Sequence, residues 1–185
     1  ECYAEQLFTI SSTTTTTTYI DVPCTEGYGL LYNWYVTQGT GDSSLTSSDD
    51  WVVPDLADFD DLRTELGGWE YSGGHLKEMG TTYWTSQSDG CDNISGFNGR
   101  GSAQRTTGGT FNQLKSYFYA ISFDLTGDSR AQGLALQPTS DYGLIFTEGY
   151  GKIGGYSVRL LYVGAGTPTS YTGNDGKVYR VVTIE

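Results

Sequence analysis

His75 is the sole histidine of this chain, and with Cys2, Cys24, Cys91 and 22 carboxylates it makes up the material for acid-base, thiol or metal chemistry. The three cysteines are too widely spaced for a zinc knuckle, and no second histidine completes a ligand set. No metal site is expected. An odd cysteine count permits one disulfide plus one free thiol: Cys2 with Cys24 is the first pairing to consider, with buried free thiols as the alternative. His75 lies in Gly73-Gly-His-Leu-Lys77, where a surface or packing role outweighs general acid-base work. No Gly-x-Ser-x-Gly, His-Glu-x-x-His or phosphate-loop pattern occurs.

Carboxylates are hard-oxygen ligands of the kind that calcium takes. Asp89-Gly-Cys-Asp-Asn93, Asp124 with Asp128, and Asp49-Asp50 each offer oxygens, but none has the spacing of a calcium loop. Solvated acidic loops are the simpler reading. Asp58, Asp60, Asp61 and Glu65 follow Pro54 on a helix whose positive end favours negative charge, which explains them without an active site. Paired carboxylates for glycoside hydrolysis are therefore not inferred. No cofactor is expected.

The elements that must position any site are short. From Tyr28, the spacing of Leu30, Leu31, Trp34 and Tyr35 puts apolar groups on one face of a short helix or strand, ended by Gly39 and Gly41. Trp51-Val-Val53 reads as a strand stopped by Pro54. Asp55 then caps a helix in which Leu56, Phe59, Leu62 and Leu66 recur at helical spacing, and Gly67-Gly68 ends it. Short strands are expected at His75 to Lys77, Tyr83 to Thr85, Tyr117 to Asp124, Gln132 to Gln137, Gly143 to Thr147 and Tyr156 to Val163. In the third of these, Tyr117, Tyr119, Ile121 and Phe123 alternate with Phe118, Ala120, Ser122 and Asp124, as in a strand with one buried face.

The 185 residues fit one domain with short arms, and the content of large rings is enough for a core. A net charge of −12 with ten basic residues argues against nucleic acid and against an anionic membrane surface. No apolar run approaches the roughly 20 residues needed to cross a bilayer. The absence of an initiator methionine reads as a processed product or a piece of a longer polypeptide. Residues 1–26 are expected to be an extended arm. Its run from Ser11 to Thr18 is two serines and six threonines, a solvated low-complexity linker on the simplest reading, with O-glycosylation as the alternative.

Ring-and-glycine motifs recur in a fixed order: Leu31-Tyr-Asn-Trp-Tyr35, Trp51-Val-Val-Pro54, Gly74-His-Leu-Lys-Glu-Met-Gly-Thr-Thr-Tyr-Trp84 and Gly155-Tyr-Ser-Val-Arg159. That order, from about Gly27 to Val163, resembles the Fibrobacter succinogenes major paralogous domain, a family related to the C-type-lectin-like and formylglycine-generating-enzyme folds. The resemblance implies an α+β, C-type-lectin-like domain over 27–165, with two short helices and a loop-rich antiparallel sheet. Members occur in secreted bacterial proteins and phage structural proteins. The enzymatic relative uses a cysteine pair near the end of its domain, and no cysteine follows Cys91 here; the Glu-Pro-Asn and Trp-Asn-Asp motifs of calcium-dependent sugar binding are also absent.

By the same resemblance, ligands are met by the loops before the final strand, Ser116 to Ile153 in this sequence. The candidate contacts there are Tyr117, Tyr119, Asp124, Arg130, Asp141, Tyr142, Tyr150 and Lys152, although at least half of the tyrosines are expected in the core. Residues 166–185 are expected to be a C-terminal strand or arm, within which Tyr171 to Ile184 resembles the segment that opens a domain of the family. Three arrangements stay open: one unit of a tandem array, a strand donated to a neighbouring subunit through Tyr179, Val181 and Thr183, or a permuted domain pairing with its own sheet. The expected role is a non-enzymatic extracellular or virion module, a phage tail or head-fibre component meeting a bacterial surface glycan or protein. The alternative is a structural repeat of a secreted surface array or filament, whose partners are neighbouring copies.

Overall fold

The computed structural model describes residues 27–38, 45, 49–126, 130–146, 151–166, 168–172 and 178–184, with backbone alone at 125, 126, 179 and 180. The Thr-rich run, the Cys2–Cys24 pairing, Gly39, Gly41, Asp128 and Tyr150 lie outside the described residues. The fold is α+β, with a few short helices and several antiparallel strands in small sheets.

Three helices occur among the described residues, α1 (Trp34–Thr37), α2 (Leu56–Glu65) and α3 (Ser72–Leu76), rather than the two expected. In α1 the Asn33 side chain accepts a hydrogen bond from the amide of Val36, an N-cap. In α2 the carboxylate of Asp55 accepts from the amide of Asp58, and Asp58 returns the bond to the Asp55 amide, a reciprocal box that satisfies two orphan donors. The carboxylate of Asp124 accepts from the Leu56 amide at 2.7 Å, so a third donor at this end is bonded from a strand far along the chain.

The strands are β1 (Trp51–Val52), β2 (Ser102–Arg105), β3 (Phe111–Leu114), β4 (Phe118–Thr126), β5 (Arg130–Leu136), β6 (Leu144–Phe146), β7 (Leu161–Tyr162), β8 (Ser170–Thr172) and β9 (Val178–Arg180). They form a three-stranded sheet β4-β5-β6 and the pairs β1-β7, β2-β3 and β8-β9, all antiparallel. Trp51 is held by the rings of Tyr162 and Tyr171, at centroid distances of 5.1 and 4.8 Å.

β4 corrects the one-faced reading. Phe118 and Ala120 pack on one side with Phe59, Leu66, Leu76, Trp84, Leu134 and Leu136, while Tyr119 and Ile121 pack on the other with Ala131, Ala135, Phe146 and Tyr156. The period of two survives, but both faces are core, because helices α2 and α3 cover one and the Tyr156 segment covers the other. Gly133 opposite Ile121 marks the register shift in the ladder, and a Cβ there would lie 1.9 Å from the carbonyl oxygen of Ala120.

Two further strand expectations fail. His75 to Lys77 belongs largely to α3, because the chain must bend here to bring Gly73 and Gly74 against the 141–142 backbone, and Tyr83 to Thr85 is a run of bends. β2 and β3, which were not expected, pair around Ala103 and Gln113, both with positive φ, a backbone state that side-chain propensity does not announce.

Candidate binding surface

The turn 137–143 joins β5 to β6, and several of its carbonyls and its one carboxylate are bonded to remote segments. Lys77 is 1 % exposed, and its ammonium donates to the carbonyls of Gln137 and Ser140 at 3.0 and 2.6 Å and to the hydroxyl of Ser88 at 2.6 Å. Burial lowers the Lys77 pKa, offset in part by Cys91 and Asp141. Asp141 accepts from the Ser88 hydroxyl and from the Gly90 amide, and its own carbonyl accepts from the Gly74 amide at 3.1 Å.

The glycines of Gly73-Gly74 are required by this contact. A Cβ on Gly73 would fall 2.2 Å from the carbonyl oxygen of Tyr142, and one on Gly74 would fall 2.3 Å from that of Gly90. The motif read as Gly-Gly-His-Leu-Lys is thus a clamp on the turn, with the glycines allowing approach and the lysine closing it.

Tyr142 emerges from the clamped turn. It is 44 % exposed, its amide donates to the Ser140 hydroxyl at 3.1 Å, and its ring lies 4.8 Å from the ring of Trp69, itself 50 % exposed, at a tilt of 54°. The next residue ties the two rings together: the Gly143 amide donates to the Trp69 carbonyl at 2.8 Å, and the Gly143 carbonyl accepts from the Arg63 guanidinium at 3.0 Å. The same guanidinium pairs with Asp60. Two large rings therefore stand at the surface on backbone fixed from both sides.

The other expected contacts do not join this pair. Tyr119 is core, with its hydroxyl bonded to Gln113, and Tyr117 stacks on it with parallel rings at 5.3 Å. Asp124 is committed to the start of α2 and Asp141 to the clamp. Arg130 is exposed where β5 begins, its backbone bridged to Gly151, and the Lys152 ammonium sits 4.7 Å from the centre of the Trp34 ring, whose indole N–H donates to the Phe123 carbonyl at 3.0 Å. Trp69 was missed in the sequence; its one signal is a tryptophan directly after the Gly67-Gly68 helix stop, an exposed place for so large a ring.

The Nδ1–H of His75 donates to the Asp92 carboxylate at 2.8 Å, while the Ser95 hydroxyl donates to the carbonyl of His75 rather than toward its ring. Burial of Asp92 is outweighed by its bonds to His75 and to the Ile94 amide, which hold its carboxyl below the ordinary range. Burial raises the pKa of the free thiol of Cys91. The Arg159 guanidinium lies 4.9 Å from the centre of the Phe97 ring, with burial and Arg100 lowering its pKa to about 10. Among the described residues no group of three His, Cys, Asp or Glu side chains is placed to hold a metal ion.

The C-terminal segment pairs within the chain. β9 forms a hairpin with β8, Val181 is half-buried, Thr183 is exposed, and Ile184 packs against the cluster that includes Phe59 and Leu66. An open groove of about 360 Å³ runs between Leu66, His75, Ile94 and the tail residues Thr183 and Ile184. No helix among the described residues is long and apolar enough to cross a membrane. No family model matches the chain, and neither does any curated protein or solved structure.

Proposed function

We propose that this chain is a non-enzymatic recognition module of C-type-lectin-like architecture acting outside the cytoplasm, as a phage tail or head-fibre component that contacts a bacterial surface. One observation carries the reading. Tyr142 stands half-exposed on a turn held by Lys77, Ser88 and the Gly90 amide, and its ring meets the half-exposed ring of Trp69, whose carbonyl accepts from the Gly143 amide of that turn. Such a turn loses little conformational freedom when a partner lands on it, which is the thermodynamic advantage of a preformed contact surface. The chemistry-bearing residues have bland roles instead: His75 pairs with Asp92, Lys77 clamps a turn, and Asp124 caps a helix. The ring-and-glycine motifs and their resemblance to domains of secreted and phage structural proteins supply the context.

The test is binding of the fluorescently labelled chain to a panel of intact bacteria. Saturable binding to at least one member is expected. Uniform failure to bind, or turnover of a substrate that depends on a named side chain, would defeat the proposal.

A second reading, a repeat unit in a surface array or filament, draws on β9. Among the described residues this strand pairs with β8 alone, and Val178 on it is 72 % exposed, so its outer edge suits a strand from a neighbouring copy. Molar mass by light scattering across a hundredfold range of concentration tests it, since an array unit self-associates and an isolated module does not.

A further inference from the structure

Resting on the recognition reading above, we infer that the Trp69–Tyr142 pair is a stacking shelf for an uncharged saccharide ring. A pyranose presents a face of polarised C–H groups, and an aromatic face carries the negative end of its quadrupole, so the two stack with favourable electrostatics and expel water from both. The shelf meets the geometric demands of that contact. Each ring is about half open to solvent, they lie 4.8 Å apart at a tilt of 54°, and the backbone that carries them is joined through Gly143 to Trp69 and Arg63.

Two other ligand chemistries fit less well. A quaternary ammonium group needs a gap between aromatic faces, and rings only 4.8 Å apart at their centres leave none between them. An anionic sugar or phosphate needs a free cation beside the rings. The terminal nitrogens of Arg63 are bonded to the Gly143 carbonyl and paired with Asp60 while its Nε is buried, Lys77 is buried in the clamp, and the chain as a whole carries −12. Glu70, exposed next to Trp69, adds a further repulsion for anions and an acceptor for sugar hydroxyls.

The experiment takes a bacterium to which the intact chain binds and separates its surface polysaccharide into neutral and anionic fractions. Affinity electrophoresis of the intact chain through gels containing each fraction is then compared with Trp69→Leu, Tyr142→Leu and Tyr142→Phe, all checked for unchanged melting. Leucine keeps apolar bulk and removes the aromatic face, whereas phenylalanine keeps the face and removes the hydroxyl. Retention by the neutral fraction is expected, weakened about tenfold or more in both leucine variants and within about threefold of the parent in Tyr142→Phe. Equal retention of the leucine variants, retention by the anionic fraction alone, or loss of cell binding after protease treatment of the cells would overturn the saccharide shelf while leaving recognition standing. A chain that binds no bacterium removes the recognition reading, and the shelf with it.

Discussion

The ammonium of Lys77 and the carboxylate of Asp141 stand 4.0 Å apart, and the hydroxyl of Ser88 bonds to both. This arrangement joins the Gly-Gly-His-Leu-Lys segment to the turn that carries Tyr142. Lys77→Met keeps the stem and removes the charge, which leaves the Gln137 and Ser140 carbonyls without their lysine donor and Asp141 without its opposite charge. The variant is expected to lose about 3 kcal/mol of stability, in line with breaking a buried charged pair, measured as the midpoint of urea unfolding. An unchanged midpoint would mean the turn is held without the lysine.

Gly73→Ala tests close approach rather than charge. Its methyl would meet the Tyr142 carbonyl oxygen at 2.2 Å, against backbone that cannot step aside without disturbing the clamp. A loss of about 2 kcal/mol or more is expected from overpacking. A control at Gly80, where a Cβ meets nothing within 4 Å, separates crowding from the positive φ of 89° that alanine would have to adopt there.

The pair of His75 and Asp92 predicts a pH signature. The Asp92 carboxyl is depressed in the folded chain, so its contribution is fully present above the unfolded value of about 3.9 and disappears as pH falls through the lower, folded one. The stability difference between the parent and Asp92→Asn should therefore shrink as acidification takes the pH below the ordinary carboxylate value of about 3.9. Denaturant midpoints measured at each pH check this, and a difference that grows on acidification contradicts it.

Asp124 and Asp55 act on the same helix end from opposite sides. Asp124→Ala removes the acceptor for the Leu56 amide and Asp55→Ala the acceptor for the Asp58 amide. Each is expected to cost about 1 kcal/mol, read from thermal unfolding followed by circular dichroism. If Asp124 is instead a ligand contact, its replacement will weaken cell binding at unchanged stability.

Tyr171 is buried, its ring rests on Trp51, and its hydroxyl donates to the Leu45 carbonyl at 3.3 Å. Tyr171→Ala should lower the unfolding free energy by roughly 3 kcal/mol, the usual range for deleting a buried aromatic ring, without altering molar mass. A fall in mass would show instead that residues 166–185 are exchanged between copies.

The local parts of this fold were legible in the sequence. Asp55, the Leu56-Phe59-Leu62 spacing and Gly67-Gly68 specify α2 almost to the residue, because caps and periodicity act within one turn. The failures are the places where distant chain decides. Gly73 and Gly74 have poor helix propensity, yet α3 passes through them because only glycine admits the Asp141–Tyr142 backbone. The exposed pairing of Tyr142 with Trp69 was not legible, since nothing local links the Gly67-Gly68 turn to the turn after β5. Asp124 and Asp141 look like free carboxylates in sequence and are consumed by donors from remote segments.

Burial of β4 on both faces decides where this protein can change. Phe118, Tyr119, Ala120, Ile121 and Ser122 have no solvent side on which to accept a new residue, so novelty has to come from the turns. The exposed positions Trp69, Glu70, Tyr71, Thr139 and Tyr142 flank the Lys77 clamp without being its grips. Substitutions at those five sites leave the two-faced packing of β4 untouched, so the surface they form is free to vary while the framework is kept.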